Sequence, residues 1–230
     1  MGVPVGRPDI AVLRALVLFV CLPALGQEGR LPLAAPAGWQ VLEYRNIPPH
    51  RIRFSASGLE MRVEGSAMPV IYPLPRPQSV RAVRVKGRVE GSLLMAPGRQ
   101  GEDRFDDYVL RIGLVESGSR TLNFVQRQLA AALVRKLFEL APKGGGISRI
   151  QFFNVGADAA QIGRRRQHPL SELIHEQVVA ALRLDGTFEF EHVLDRPLDA
   201  LAVWLSSDGD DTGSKFTVLV EEIELRPEPR

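Results

Sequence analysis

The chain has 230 residues, 45% hydrophobic and 24% charged, with 29 basic against 27 acidic side chains and a formal net charge of +2. That balance excludes a disordered polyelectrolyte, and it argues against a nucleic-acid binder, which needs a clustered basic surface. Cys21 is the one cysteine, so no internal disulfide can form and an apolar core must hold the fold.

In chain order, the first signal concerns export. Arg7 and Arg14 precede the apolar run 15–26, which ends in Ala24-Leu25-Gly26. A positive start, a short apolar stretch and small residues at its end predict a cleavable secretory signal over 1–26, and hence a periplasmic or secreted protein. The run falls short of the roughly 20 apolar residues that span a membrane, and Pro23 interrupts it. The alternative is a lipoprotein anchored through Cys21, against which stand the bulky Leu18-Phe19-Val20 just before it. Residues 27–38, rich in Pro, Ala and Gly, read as a flexible lead-in to a single domain over 39–226.

From Trp39 the pattern turns to strands. WQVLEYR (39–45) alternates, RIRF (51–54) and GLEMRVEG (58–65) flank a Ser-Gly turn as a hairpin, and MPVIYPLP (68–75) is apolar but carries three prolines, which suits an edge or bent strand and not a central one. Over 80–90, Val83, Val85 and Val89 interleave with Arg84, Lys86 and Arg88, the mark of a sheet wet on one side. DDYVLRIGLVE (106–116) follows with Leu110, Ile112 and Leu114 on one face. Leucines at three- and four-residue steps over 121–140 then predict an amphipathic helix, ended by Pro142 and Gly144-Gly145-Gly146. Its apolar stripe packs on the sheet or meets a partner. Strand patterns return over 147–155, 176–184, 187–194, 201–207 and 215–225. The fold class expected is mainly β: an antiparallel β-sandwich of jelly-roll or carbohydrate-binding-module type with one long amphipathic helix.

Few stretches carry chemistry. In SSDGDDTG (206–213), Asp208, Asp210 and Asp211 crowd into four positions. Clustered carboxylates suit calcium, the only cofactor suggested, although Leu219 stands where a helix-loop-helix calcium site needs glutamate. The other reading is a solvated hairpin turn. Asp106-Asp107 together with Asp208 or Asp211 would make a carboxylate pair for glycoside hydrolysis if their separation allowed it. His50, His168, His175 and His192 show no metal-ligand spacing. The triplet Arg164-Arg165-Arg166 suits an anionic envelope glycan or lipid head group, or else a solvated loop. No G-x-S-x-G or phosphate-binding loop is present in the sequence, and no catalytic residue stands out.

Trp39 with IPPHRIRF (47–54), DDYVLRIGL (106–114), FFNVG (152–156) and WLSSDGDDTG (204–213) together resemble an uncharacterised family of secreted bacterial proteins, known only as a domain of unknown function with an acidic Asp-x-Asp-Asp-Thr-Gly turn. The resemblance implies a β-sandwich like that of carbohydrate-binding modules and transfers no activity or catalytic residue. The function expected is an exported binding module for a small molecule or envelope glycan. The alternatives are an envelope-polymer hydrolase using the clustered carboxylates and an envelope assembly or interaction protein using the helix.

Overall fold

The computed structural model describes residues 29–121, 132–141, 143, 145–168 and 171–228. The segment read as a signal, and residues 27–28 of the lead-in, lie outside these. Among the described residues ten strands join one sheet: β1 (Gln40–Val41), β2 (Arg51–Ser55), β3 (Gly58–Glu64), β4 (Val70–Ser92), β5 (Leu110–Gly118), β6 (Gly146–Gly156), β7 (Arg165–Gln167), β8 (Ile174–Ala181), β9 (Thr187–Ser206) and β10 (Lys215–Arg226). Their order is β2-β3-β10-β4-β9-β5-β6-β8-β7, with β1 also pairing β4.

Two long strands, β4 and β9, run through both halves of this sheet and bend it. Register breaks fall between Pro73 and Gln78 and again between Val80 and Ala82. The prolines at 73, 75 and 77 cannot donate to a ladder, so the strand bends where the sequence places them. Opposite Arg81, residues 194–197 of β9 bulge out of register, and the Arg81 Nη1 donates to the Leu194 carbonyl. Such bulges re-aim side chains.

The halves face one another across one core. Leu59, Met61 and Val63 of β3, Val83, Val85 and Val89 of β4, and Phe216 and Val218 of β10 join Leu110, Ile112, Leu114 and Phe153 in one buried cluster. Met61, Val85 and Val218 have no exposure at all. Among the described residues the helical elements are α1 (Ala132–Glu139) and a short 3-10 turn, so the cover for these side chains is the opposite half of the sheet. The outward phase of the first half carries Arg84, Lys86 and Arg88 against Glu189, Glu221 and Glu222, exposed ion pairs of small energetic weight.

The second half buries its other face as well. There Ile71, Val115, Ile150, Phe152 and Trp204 pack with Leu137 of α1. Gly113 permits this: a Cβ at that position would lie 2.7 Å from the Phe152 ring and 3.1 Å from the Trp204 Cβ. The two rings meet edge-to-face across it, centroids 5.5 Å apart.

Three expectations change. The helix read over 121–140 is not supported at that length: the described helix is the eight residues of α1, and 122–131 lie outside the described residues. Its Leu137 is buried, as a core stripe requires. The sheet is not wholly antiparallel, because β6 and β8 pair in parallel while β7 closes the edge. The chain leaving β6 turns back through β7 and then inserts β8 between them. The segments 187–194 and 201–207 form one strand, since Arg196-Pro197 makes a bulge and not a break.

Candidate functional site

The bulge in β9 and the edge formed by β6, β8 and β7 enclose a cavity of about 320 Å³. Strand alternation builds its floor. Arg149, Gln151 and Phe153 share one phase of β6, and His175 and Gln177 share the matching phase of β8. His192, Leu194, Asp195 and Arg196 of β9 form the facing wall, with Arg165 and Arg166 of β7 at the rim. Phe153 is buried and packs on the His192 ring at 4.8 Å, which fixes that imidazole at the cavity wall. Burial, and then the nearby Arg165, hold His192 below its ordinary pKa. The imidazole is therefore neutral at neutral pH and works as a hydrogen-bonding group.

Four guanidinium groups line the cavity against the carboxylates of Glu176 and Asp195. Their partners differ in kind. Arg149 and Arg196 each donate at 2.7 Å to the two oxygens of Glu116, whose side chain is only 6% exposed. Arg165 meets Asp195 at 3.2 Å in the open, with side chains 60% and 80% exposed. Arg166 bonds Glu176, Asp106 and the Gly101 carbonyl.

Behind Arg166 lies a buried hub. Arg111, near the start of β5, donates to Asp208, to Glu176 and to the Asp106 backbone oxygen, and its guanidinium stacks 4.4 Å over the Tyr108 ring. A buried guanidinium is costly to desolvate, and only such multiple carboxylate contacts offset the cost. Burial pushes the Asp208 carboxyl up to about 7, with Asp107 and Asp210 adding to the effect and Arg111 opposing it. Burial also raises Asp106, but His168, Arg111 and Arg166 outweigh it and hold that carboxyl well below its ordinary range. Burial lifts the Tyr44 phenol well above its usual value, and the Asp208 charge beside it adds to this.

The acidic turn and the Asp-Tyr pair that opens β5 clasp each other. Asp107 accepts from the Thr212 N–H at 2.8 Å, the Thr212 hydroxyl at 2.6 Å and the Asp211 N–H at 3.3 Å. In return the Asp106 N–H donates to Asp211 at 3.0 Å. His50 pins the base of the same turn through Ser66 at 2.8 Å and the Ser207 carbonyl at 2.5 Å. The stretches 47–54, 106–114, 152–156 and 204–213 thus meet at one end of the sheet.

The structure therefore places the sequence-derived residues as follows. Asp208, Asp210 and Asp211 sit in the turn as expected, but Asp208 turns inward to Arg111 and Asp211 to the Asp106 backbone. No group of three or more His, Cys, Asp or Glu side chains among the described residues is arranged to hold a metal ion. Asp106, Asp107 and Asp208 are engaged in these structural bonds and do not line the cavity as an acid–base pair. Arg165 and Arg166 reach the cavity, whereas Arg164 turns away to the Gln100 carbonyl at 2.8 Å. Arg149, Gln151, His175, Gln177, His192 and Arg196 were not singled out as a set. The available signal was polar residues at two-residue spacing, Arg149 and Gln151 in β6 and His175 and Gln177 in β8.

Among the described residues no helix is long and apolar enough to cross a membrane. No family model matches the chain and no curated protein matches it. Among solved structures, the xylan-binding module CBM15 aligns over 87% of this chain and 97% of its own, at 13% identity and a TM-score of 0.35. Xylanase 10C from Cellvibrio japonicus in complex with xylopentaose aligns over 85% of this chain at 12% identity and a TM-score of 0.34, and this chain spans 28% of its length. An exo-beta-agarase aligns over 88% at 9% identity and a TM-score of 0.32, with 26% of its own length covered.

Proposed function

We propose that this chain is an exported, non-catalytic glycan-binding module: a jelly-roll sandwich of carbohydrate-binding-module type that holds an envelope saccharide in the cavity between β6, β8 and the β9 bulge. Kinship with the secreted family that shares the Asp-x-Asp-Asp-Thr-Gly turn belongs to the same reading. The observation that carries it is the cavity lining. Gln151, Gln177, His175 and His192 are planar groups that donate and accept together, which matches a sugar hydroxyl, itself both donor and acceptor. They stand on strands and a bulge, a pre-formed concavity at the lower end of the size range of small-ligand sites. The carboxylates around 106–107 and 208 are held in ion pairs and backbone bonds, which favours binding over hydrolysis.

A thermal-shift screen against neutral and acidic oligosaccharides tests this. A ligand at a hundred times its Kd adds about 2.7 kcal/mol to stability, a rise of roughly 5–11 °C for a domain of this size. One saccharide class that gives such a rise, lost in Gln177→Ala, supports the reading. A panel with no response, or release of shortened saccharide products, refutes it.

A further inference from the structure

We propose that the saccharide taken by this cavity is carboxylated, a uronate-bearing chain, and that Arg165 grips its carboxylate by exchanging it for Asp195. This rests on the glycan-binding reading above and deepens it. The argument is one of which charges are already committed. Glu116 is shut in and shared by Arg149 and Arg196 at 2.7 Å each. Glu176 has a side chain only 2% exposed and is shared by Arg111 and Arg166. Glu176 cannot leave without stranding the buried Arg111 guanidinium, and Glu116 is itself buried and held from two sides.

The Arg165–Asp195 pair is different. At 3.2 Å, with both side chains more than half exposed, it is a surface ion pair, and such pairs contribute about 1 kcal/mol or less. Asp195 belongs to the β9 bulge and Arg165 to the edge strand β7, so the pair bridges the two lips of the cavity. A carboxylate from a ligand that also bonds Gln151, Gln177 or His192 replaces Asp195 with no net change in charge at Arg165. Bidentate guanidinium–carboxylate geometry then adds strength that the existing single contact lacks. Release of Asp195 frees one positive charge, which one monoanionic carboxylate fills and a dianionic phosphate overfills. His192, neutral because of burial and Arg165, adds hydrogen bonding without further charge.

The experiment is calorimetric titration of the protein with a galacturonate oligosaccharide, with its methyl ester on the same skeleton, and with a sulfated oligosaccharide. The acid is expected to bind at least tenfold tighter than the ester. Arg165→Ala should erase that preference, and Asp195→Ala should widen it, raising the affinity for the acid several-fold relative to that for the ester. Melting curves of both variants establish that they fold, which exposed positions should allow. Equal binding of acid and ester overturns the inference while the glycan reading stands. Sulfated chains bound as tightly as the acid, through Arg165, also overturn the carboxylate assignment. If no saccharide binds at all, both readings fall.

Discussion

Replacing Arg111 with alanine should be strongly destabilising. The guanidinium answers Asp208, Glu176 and the Asp106 oxygens, all at positions buried or nearly so. Removing one partner of a buried ion pair leaves uncompensated charge and costs about 3–5 kcal/mol. At roughly 2–4 °C per kcal/mol for a domain of this size, the melting temperature should fall by about 6–20 °C. The loss should depend on pH. Asp208 already sits at about 7 with Arg111 present, and without the cation the stranded carboxylates rise further. Its native value exceeds its unfolded one, so its contribution is complete below the unfolded pKa and is lost as pH rises through about 7. Protonation near pH 5 therefore relieves the variant, and the gap to wild type should narrow there relative to pH 8. Calorimetric melts of both proteins at the two pH values measure this. A loss below about 1 kcal/mol, or one equal at both pH values, would refute the idea that Arg111 neutralises buried charge.

Other outcomes follow from the same geometry. His50 is pushed down to about 4 by burial, against an ordinary 6.5. Its contribution is complete above the unfolded value and is lost as pH falls toward 4, amounting to about 3 kcal/mol; denaturant unfolding at pH 7.5 and 4.5 should show wild type losing about that much relative to His50→Gln, a comparison in which the opposite contribution of Asp208 cancels. Gly113→Ala drives a Cβ to within 2.7 Å of the Phe152 ring, and such overpacking costs about 1–3 kcal/mol; an unchanged melting temperature would contradict the packing of Phe152 on Trp204. Calcium at Asp208, Asp210 and Asp211 requires breaking the Arg111–Asp208 bond, so millimolar calcium should leave the melting temperature unmoved, and a rise of several degrees would restore the cation reading of the turn.

Much of the fold was legible because it depends on local pattern. Val83, Val85 and Val89 against Arg84, Lys86 and Arg88 announced an amphipathic strand; the prolines within 68–75 announced a bent or edge strand, and the sheet keeps the bend but not the edge, since β4 lies between β10 and β9. The parallel pairing of β6 and β8 left no such mark, because register between distant segments follows from the whole sheet's closure. The segments 187–194 and 201–207 read as separate strands, yet in the folded sheet they are one strand whose bulge at 194–197 shapes the cavity.

The candidate site shows the same division. Asp208 stood out in a crowded acidic turn, but its partner Arg111 lies 97 residues away and looked like an ordinary strand arginine. His175 and His192 carry no motif spacing and share the cavity only because β8 and β9 are brought together. The Arg164–Arg166 triplet suggested an anion site from composition alone. Arg165 and Arg166 belong to β7 and line the cavity, whereas Arg164 precedes the strand and does not.

The most direct test of the account is a nuclear magnetic resonance titration of the protein with a galacturonate oligosaccharide, following backbone amides and arginine Nε–H signals. Shifts concentrated at Gln151, Arg165, His175, Gln177 and His192 are predicted. Shifts gathered instead around the Trp39, Phe54 and Tyr72 rings on the opposite edge, or none anywhere, would contradict it.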